Sequence, residues 1–447
     1  MSKKSKIIKT VVFMILFLCS FLVVQKLFRV GEISNAAMHK SFYKEKDESL
    51  DAVYIGSSVT YSFWNPLLAW EQTGYTVFSY STSLMPVEAF QTILQDIRSS
   101  QPDALYIVAL NPFEKNDLSF KSVHFLVDYY PDIPKKVQYI HDVTSLMPGS
   151  VFDKLEYYFP IIRFHSHLAD VDEVFLTEDY PDYKGSMNFA YYLMAAEDYS
   201  PITEVVKKET PISEERAAIL TDFLDYCKEE NLNVLFVVSP QPASPVEEQE
   251  HINWLASKVE EAGFPVVHLQ NPVEEMQLDM TCDYFDRVHS NIHGSIKFTS
   301  MLSDYLTEHY NFTDKKGTEE GASWEKSYLS YLPSITPYTL DFERDFSRRD
   351  NTLAATEIIR VEDLSNGVRM EWEPVPEAEN YHLYRKIDEG DWERIADLSS
   401  STYSYTDTGM NKKHNNTYLV VASRMEGGER IYGNCDYTGY SVIPPQR

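Results

Sequence analysis

Residues 51–58 read DAVYIGSS, a short apolar, β-branched run that ends in a glycine and two serines. Such a run predicts a buried strand closed by a tight turn. Downstream, Pro86 opens PVEAFQTILQDIRSS, in which Val87, Phe90, Ile93 and Leu94 recur at helical spacing, and a second buried strand is expected over Ala104–Leu110. The alternation continues. Ser213 is placed to cap a helix reading SEERAAILTDFLDYCKEEN, and Glu214 and Glu215 suit the positive end of its dipole. A strand follows at Asn233–Val238, a helix at Glu247–Ala262 and a strand at Phe264–Leu269. Strands without polar alternation, separated by helices, predict an α/β domain: a doubly wound, flavodoxin-like parallel sheet covered on both faces. Residues 112–210, rich in Tyr, Asp and Pro, find no place on that sheet and read as a long insertion.

The chain has 447 residues and a net charge of −28, so a nucleic-acid partner is excluded for want of a basic face. The first thirty residues reverse that balance. Lys3, Lys4, Lys6, Lys9, Lys26 and Arg29 bracket the uncharged run Thr10–Val24. With four lysines before the run and two basic residues after it, residues 1–30 predict a basic cytoplasmic tip and a single-pass transmembrane anchor, the rest lying outside the plasma membrane of a bacterial cell. A cleaved signal peptide, giving a secreted protein, is the alternative, although Gln25-Lys26 makes a poor cleavage site. Four cysteines, Cys19, Cys227, Cys282 and Cys435, imply no disulfide framework.

The chemistry-bearing residues sit at the two ends of the α/β region. Ser58 stands just past the first strand, and Asp286 and His289 precede a helix expected near His293. A serine nucleophile needs a histidine to take its proton and an acid to orient that histidine, and this set supplies all three. His293 lies four residues after His289, but no acidic or cysteine ligand completes a metal pattern, so neither a metal nor another cofactor is expected. His165 and His167 read as insertion histidines near a substrate cleft or simply at the surface.

Two blocks carry a family resemblance: Ile55-Gly56-Ser57-Ser58-Val59-Thr60, and Asp286-Arg287-Val288-His289 followed by Asn291, Gly294, Lys297, Phe298 and Thr299. Over roughly residues 48–310 the chain resembles the SGNH/GDSL hydrolases, above all a membrane-anchored branch linked to O-acylation of bacterial surface polymers. The resemblance implies Ser58 as nucleophile, His289 as base and Asp286 as its orienter, with Ser57 in place of the family aspartate. It further implies oxyanion or substrate-binding roles for Ser81, with Ser83 as the alternative, in a block that normally carries glycine. Asn111 takes the same role in Ala109-Leu110-Asn111-Pro112, where the family has Gly-x-Asn-Asp. The implied activity is a serine esterase or O-acyltransferase. Its substrate would be acyl, chiefly O-acetyl, esters of a surface polysaccharide or wall polymer, and its partner a membrane-bound O-acyltransferase. The competing expectation is a catalytically degenerate, membrane-tethered adhesion or scaffold protein.

Composition turns polar and acidic after Asn311, and residues 313–350 read as a linker between the hydrolase-like domain, 31–312, and a tail, 351–447. In the tail, short alternating strands are expected at Ile358–Val361, Val368–Trp372, Tyr381–Arg385, Trp392–Ile395, Tyr403–Tyr405 and Thr417–Ala422. With Trp372, Tyr381, Tyr384 and Tyr418 in their observed order, the tail resembles a fibronectin type III module. That implies an immunoglobulin-like β-sandwich with Trp372 in its core, Tyr418 as corner tyrosine, and a spacer or placement role.

Overall fold

A computed structural model of the chain describes residues 3–27, 33–115, 118–131, 135–164, 180–187, 206–270, 278–339 except 279, 281, 282 and 285, 353–388, 393–426, 429–433 and 440–442. Five parallel strands form the first sheet: β1 (Ala52–Gly56), β2 (Val77–Ser81), β3 (Leu105–Ala109), β4 (Val234–Val238) and β5 (Val266–His268), in the order β2-β1-β3-β4-β5. Successive side chains divide between two cores. Val53, Ile55, Tyr106, Val108, Phe236 and Val238 face one way and meet Phe90, Ile93, Leu94 and Ile97 of the helix Phe90–Arg98. Ala52, Tyr54, Leu105, Ile107, Leu235 and Val237 face the other way and meet Phe298, Leu302 and Leu306 of the helix Ile292–His309. Apolar residues on both faces are what a parallel sheet between helix layers requires, and each such side chain contributes about 1.5–3 kcal/mol on burial.

β2 was not among the expected strands. Its serines, Ser79 and Ser81, make VFSYS look half-polar, yet both are buried and their hydroxyls lie 3.2 Å apart, so each satisfies the other inside the fold. Among its described residues, the 112–210 insertion forms helices at Pro112–Lys115, Phe120–Val127, Lys136–Ser145, Leu155–Tyr158 and Pro160–Phe164. Val123, Leu126, Tyr130, Tyr139 and Val143 from these helices and their loops join the first core. Residues 180–187 return to the edge of the sheet, where the Ser79 amide donates to the Lys184 carbonyl at 3.0 Å. Gly185 has φ +86°, and a Cβ there would stand 1.8 Å from the Ser79 carbonyl oxygen, so the approach demands glycine. His165 and His167 lie outside the described residues.

The expected linker is a correction. Lys315 reaches under the sheet, donating to the Ser49 carbonyl, Asp51 and Thr76, each at 2.9 Å. The helix Ala322–Thr339 then packs on the α/β body, burying Trp324, Tyr331 and Ile335 in the first core, with the Asn65 amide donating to the Tyr331 hydroxyl at 2.6 Å. The polar composition of 313–321 belongs to a tethered turn, and the α/β body runs on through about Thr339.

The tail forms two antiparallel sheets. One contains β6 (Ile358–Leu364), β7 (Gly367–Trp372) and β10 (Ser404–Asp407). The other contains β8 (Asn380–Ile387), β9 (Glu393–Ser399), β11 (Asn416–Glu426), β12 (Glu429–Tyr432) and β13 (Tyr440–Val442). Trp372, Tyr381, Leu383, Tyr418 and Val420 form its core. The Tyr418 hydroxyl donates to the Asp407 carboxylate at 2.8 Å, where a corner tyrosine ordinarily seeks backbone.

The basic, apolar N-terminal stretch forms one helix, Lys3–Leu27. Ile7, Ile8 and Val11–Leu18 are exposed along it. Among the described residues no helix is long and apolar enough to cross a membrane.

Candidate active site

The strand order reverses at β1, which has β2 on one side and β3 on the other, and crevices in open α/β sheets form beyond the carboxyl ends of strands at such a point. Ser58 is there. It is the first residue of the short helix Ser58–Phe63, set off from β1 by Gly56 and Ser57. Gly56 has to be small, because a Cβ would come within 1.9 Å of Thr60 Oγ1 and 2.8 Å of Ala109 Cβ on β3. That close approach turns the chain sharply enough to leave Ser58 partly exposed between buried neighbours.

His289 comes to Ser58 from 231 residues away, with its Nε2 2.7 Å from Ser58 Oγ and its Nδ1 2.8 Å from Asp286 Oδ2. With the Nδ1 proton donated to Asp286, Nε2 is left to accept from the serine hydroxyl. Asp286 also accepts the backbone amides of Val288 and His289 at Oδ1, 2.8 and 2.9 Å away, which fixes the carboxylate that orients the ring. Burial pushes the Asp286 carboxyl up, but its bonds to His289 and the two amides outweigh that and hold it below the ordinary carboxylate range.

Residues after His289 stitch this loop to the serine helix. Ser290 Oγ donates to the Ser62 carbonyl at 2.6 Å, Ser295 Oγ to the Phe63 carbonyl at 3.0 Å and Thr299 Oγ1 to the same carbonyl at 3.2 Å. The carbonyls left without partners at the end of the short serine helix are thus satisfied by the base-bearing segment. Asn291 caps the helix Ile292–His309, accepting from the His293 and Gly294 amides. A Cβ at Gly294 would fall 2.2 Å from the Asp283 carbonyl oxygen, and Lys297 pairs with the buried Asp283 at 2.8 Å. The spacing Asn291, Gly294, Lys297, Thr299 therefore encodes the dock that brings His289 to Ser58. The sequence displayed these residues without revealing that role.

Ser81 ends β2 directly across from Gly56 in the register, beside the turn that carries Ser58. Ser83, the alternative, has its hydroxyl 2.9 Å from the Tyr61 hydroxyl of the serine helix. Asn111 follows β3 on the other side of β1, but its side chain is turned across the strand ends: Oδ1 accepts the Ser239 amide at 2.8 Å, and Nδ2 donates to the Ser239 carbonyl at 3.1 Å and to Gln241 at 3.4 Å. Through these bonds Asn111 ties β3 to β4. Among the described residues no group of three or more His, Cys, Asp or Glu side chains could hold a metal ion.

No family model matches the chain, and no curated protein matches it. Among solved structures it matches pectate lyase PelI from Erwinia chrysanthemi at 21% identity over 20% of this chain and 28% of that one, with a TM-score of 0.17. It matches an FN3 domain of human collagen XX at 16% identity over 21% of this chain and 94% of that domain, TM-score 0.17. It also matches BT4096, a gut microbial diltiazem-metabolizing enzyme, at 10% identity over 82% of this chain and 73% of the other, TM-score 0.21. The chain spans about a quarter of the length of the pectate lyases.

Proposed function

We propose that the protein is a serine esterase or O-acyltransferase of SGNH type, acting outside the cytoplasmic membrane on acyl esters, chiefly O-acetyl, of a surface polysaccharide or wall polymer. One observation carries the reading: Ser58, His289 and Asp286 form a continuous hydrogen-bonded line at the carboxyl end of β1. His289 takes the Ser58 proton as Oγ attacks the ester carbonyl, and the negative charge falls on the carbonyl oxygen. Collapse expels the alcohol, which leaves with the proton from His289, and an acyl-serine remains. Water, deprotonated by His289, then releases the acid, whereas a sugar hydroxyl in its place takes the acyl group. In this reading the Ser58 and Ser81 amides serve as oxyanion donors, and Asn111 joins them by exchanging its long bond to Gln241 for the oxyanion.

The helix Lys3–Leu27 is the membrane element, with the uncharged run Thr10–Val24 seated in the bilayer. A membrane-bound acyl donor is the partner for the transfer reaction, and the tail, as a fibronectin type III-like module, places the catalytic body against the polymer. A second reading, a degenerate tethered scaffold, draws on the occupied Asn111 amide. Turnover of para-nitrophenyl acetate by the full-length protein in nanodiscs separates the two: the esterase loses it on Ser58→Ala, and the scaffold never had it.

A further inference from the structure

Several apolar side chains of the insertion have no place in its cores. Phe152 is 83% and Val151 74% exposed, and Leu146, Phe159, Ile162 and Phe120 are open to solvent as well. They lie together. The turn Phe152–Lys154 runs into the helix Leu155–Tyr158, which packs on Pro160–Phe164, while the Phe120 ring meets Tyr157 at 5.8 Å and the Arg163 guanidinium at 5.6 Å. A contiguous apolar patch of this kind on a folded body marks a contact surface.

Its location identifies the contact. The Phe21 ring, near the far end of the helix Lys3–Leu27, packs edge-on against Phe159 at 5.9 Å, and that helix also touches Pro160–Phe164. Phe13, Phe17 and Phe21 stack along the helix at 6.3 Å spacings, so one aromatic row leads from the apolar helix directly into the patch. Charge agrees with the location. Residues 120–164 hold five basic and five acidic side chains, a neutral stretch in a chain of net −28. An acidic body is repelled from anionic headgroups, whereas this segment is not.

We infer that the patch around Val151, Phe152 and Ile162 is a second membrane contact, seated in the headgroup and upper acyl region of the bilayer that holds the helix Lys3–Leu27. The inference rests on the membrane reading of that helix. It assigns the insertion a task apart from substrate binding: it fixes the tilt of the catalytic body over the lipid surface. Interfacial contacts of this type bury side chains about 5–10 Å into the boundary region.

The test uses the full-length protein in vesicles of phosphatidylcholine and phosphatidylglycerol with brominated acyl chains. Tryptophan is introduced by Phe152→Trp, by Ile162→Trp as a second position should the first disturb folding, and by Leu329→Trp on the exposed face of the helix Ala322–Thr339 as the reference. Emission is measured as the difference from the parent chain. The expected result is quenching at least about twofold stronger for Phe152→Trp and Ile162→Trp than for Leu329→Trp, with blue-shifted emission. A chain that floats with the vesicles but shows equal quenching at all three positions overturns the patch and leaves the membrane helix standing. A chain that does not float overturns the membrane reading and the patch with it.

Discussion

The chain contains a second line of serine, histidine and aspartate. In the tail, His382 on β8 has Nε2 2.7 Å from Ser423 Oγ on β11 and Nδ1 2.6 Å from Asp397 on β9. The site at β1 has the same atoms at 2.7 and 2.8 Å. Distances therefore do not separate the two. Access does. Ser58 is partly exposed at a strand end, where a helix begins. Ser423 and His382 are fully buried within antiparallel strands, and the Ser423 position is paired with Asn380 on one side and Tyr432 on the other. No ester carbonyl can reach Ser423, so that line is a satisfied polar network holding three strands in register. The same hydrogen-bond geometry thus occurs in an enclosed strand interior and at an open strand end, and only the second leaves the serine hydroxyl accessible.

The comparison breaks most visibly under paired substitutions. Ser58→Ala is expected to lower ester turnover by about 10³-fold or more, while Ser423→Ala leaves it within about twofold, read as kcat/KM with para-nitrophenyl acetate. Asp286→Asn, which removes the charge that orients His289, is expected to cost about 10²-fold or more in kcat. Asp397→Asn is expected to cost none, since the reaction never visits the tail. Stability is expected to move the opposite way. His382→Ala strands the buried Ser423 hydroxyl and should cost about 1–3 kcal/mol in denaturant unfolding of the tail, against less for Ser58→Ala at the open site.

A third histidine sharpens the contrast through pH. His39 is fully buried, with Nδ1 only 3.5 Å from the Tyr80 hydroxyl, and burial lowers its pKa from 6.5 to about 3. Below pH 6.5 the unfolded chain therefore binds a proton that the folded chain refuses. Stability from this group is complete above pH 6.5 and falls by about 1.4 kcal/mol per pH unit toward pH 3. Unfolding curves between pH 4 and 6 should show a shallower slope for His39→Gln than for the parent. Asp286 has the same sign at lower pH: its lowered carboxyl adds stability that is complete above the ordinary carboxylate range and is lost as pH falls through its folded value. It keeps its charge where His39 has already weakened the fold.

Local signals were legible in the sequence and distant ones were not. DAVYIGSS shows its strand and turn because both are encoded within eight residues, and Asp286 and His289 are close enough in sequence to be read as a pair. The polar network of the tail escapes such reading, because His382, Asp397 and Ser423 meet only through strand pairing. The same holds for Lys315 and Trp324, which turn an acidic stretch into part of the α/β body through contacts with Asp51 and the first core. β2 hid behind its serines, whose partners are each other. Asn111 stands where its motif put it, but its amide is committed to Ser239, a contact that depends on the neighbouring strand.

The central claim is that Ser58, and not Ser423, is a working nucleophile. Its most direct test is to label the full-length protein in nanodiscs with a serine-directed fluorophosphonate and map the adduct by mass spectrometry. The adduct is predicted on Ser58 alone and should be absent in His289→Ala. A folded protein that takes no label at Ser58, or labels equally in His289→Ala, would contradict the account.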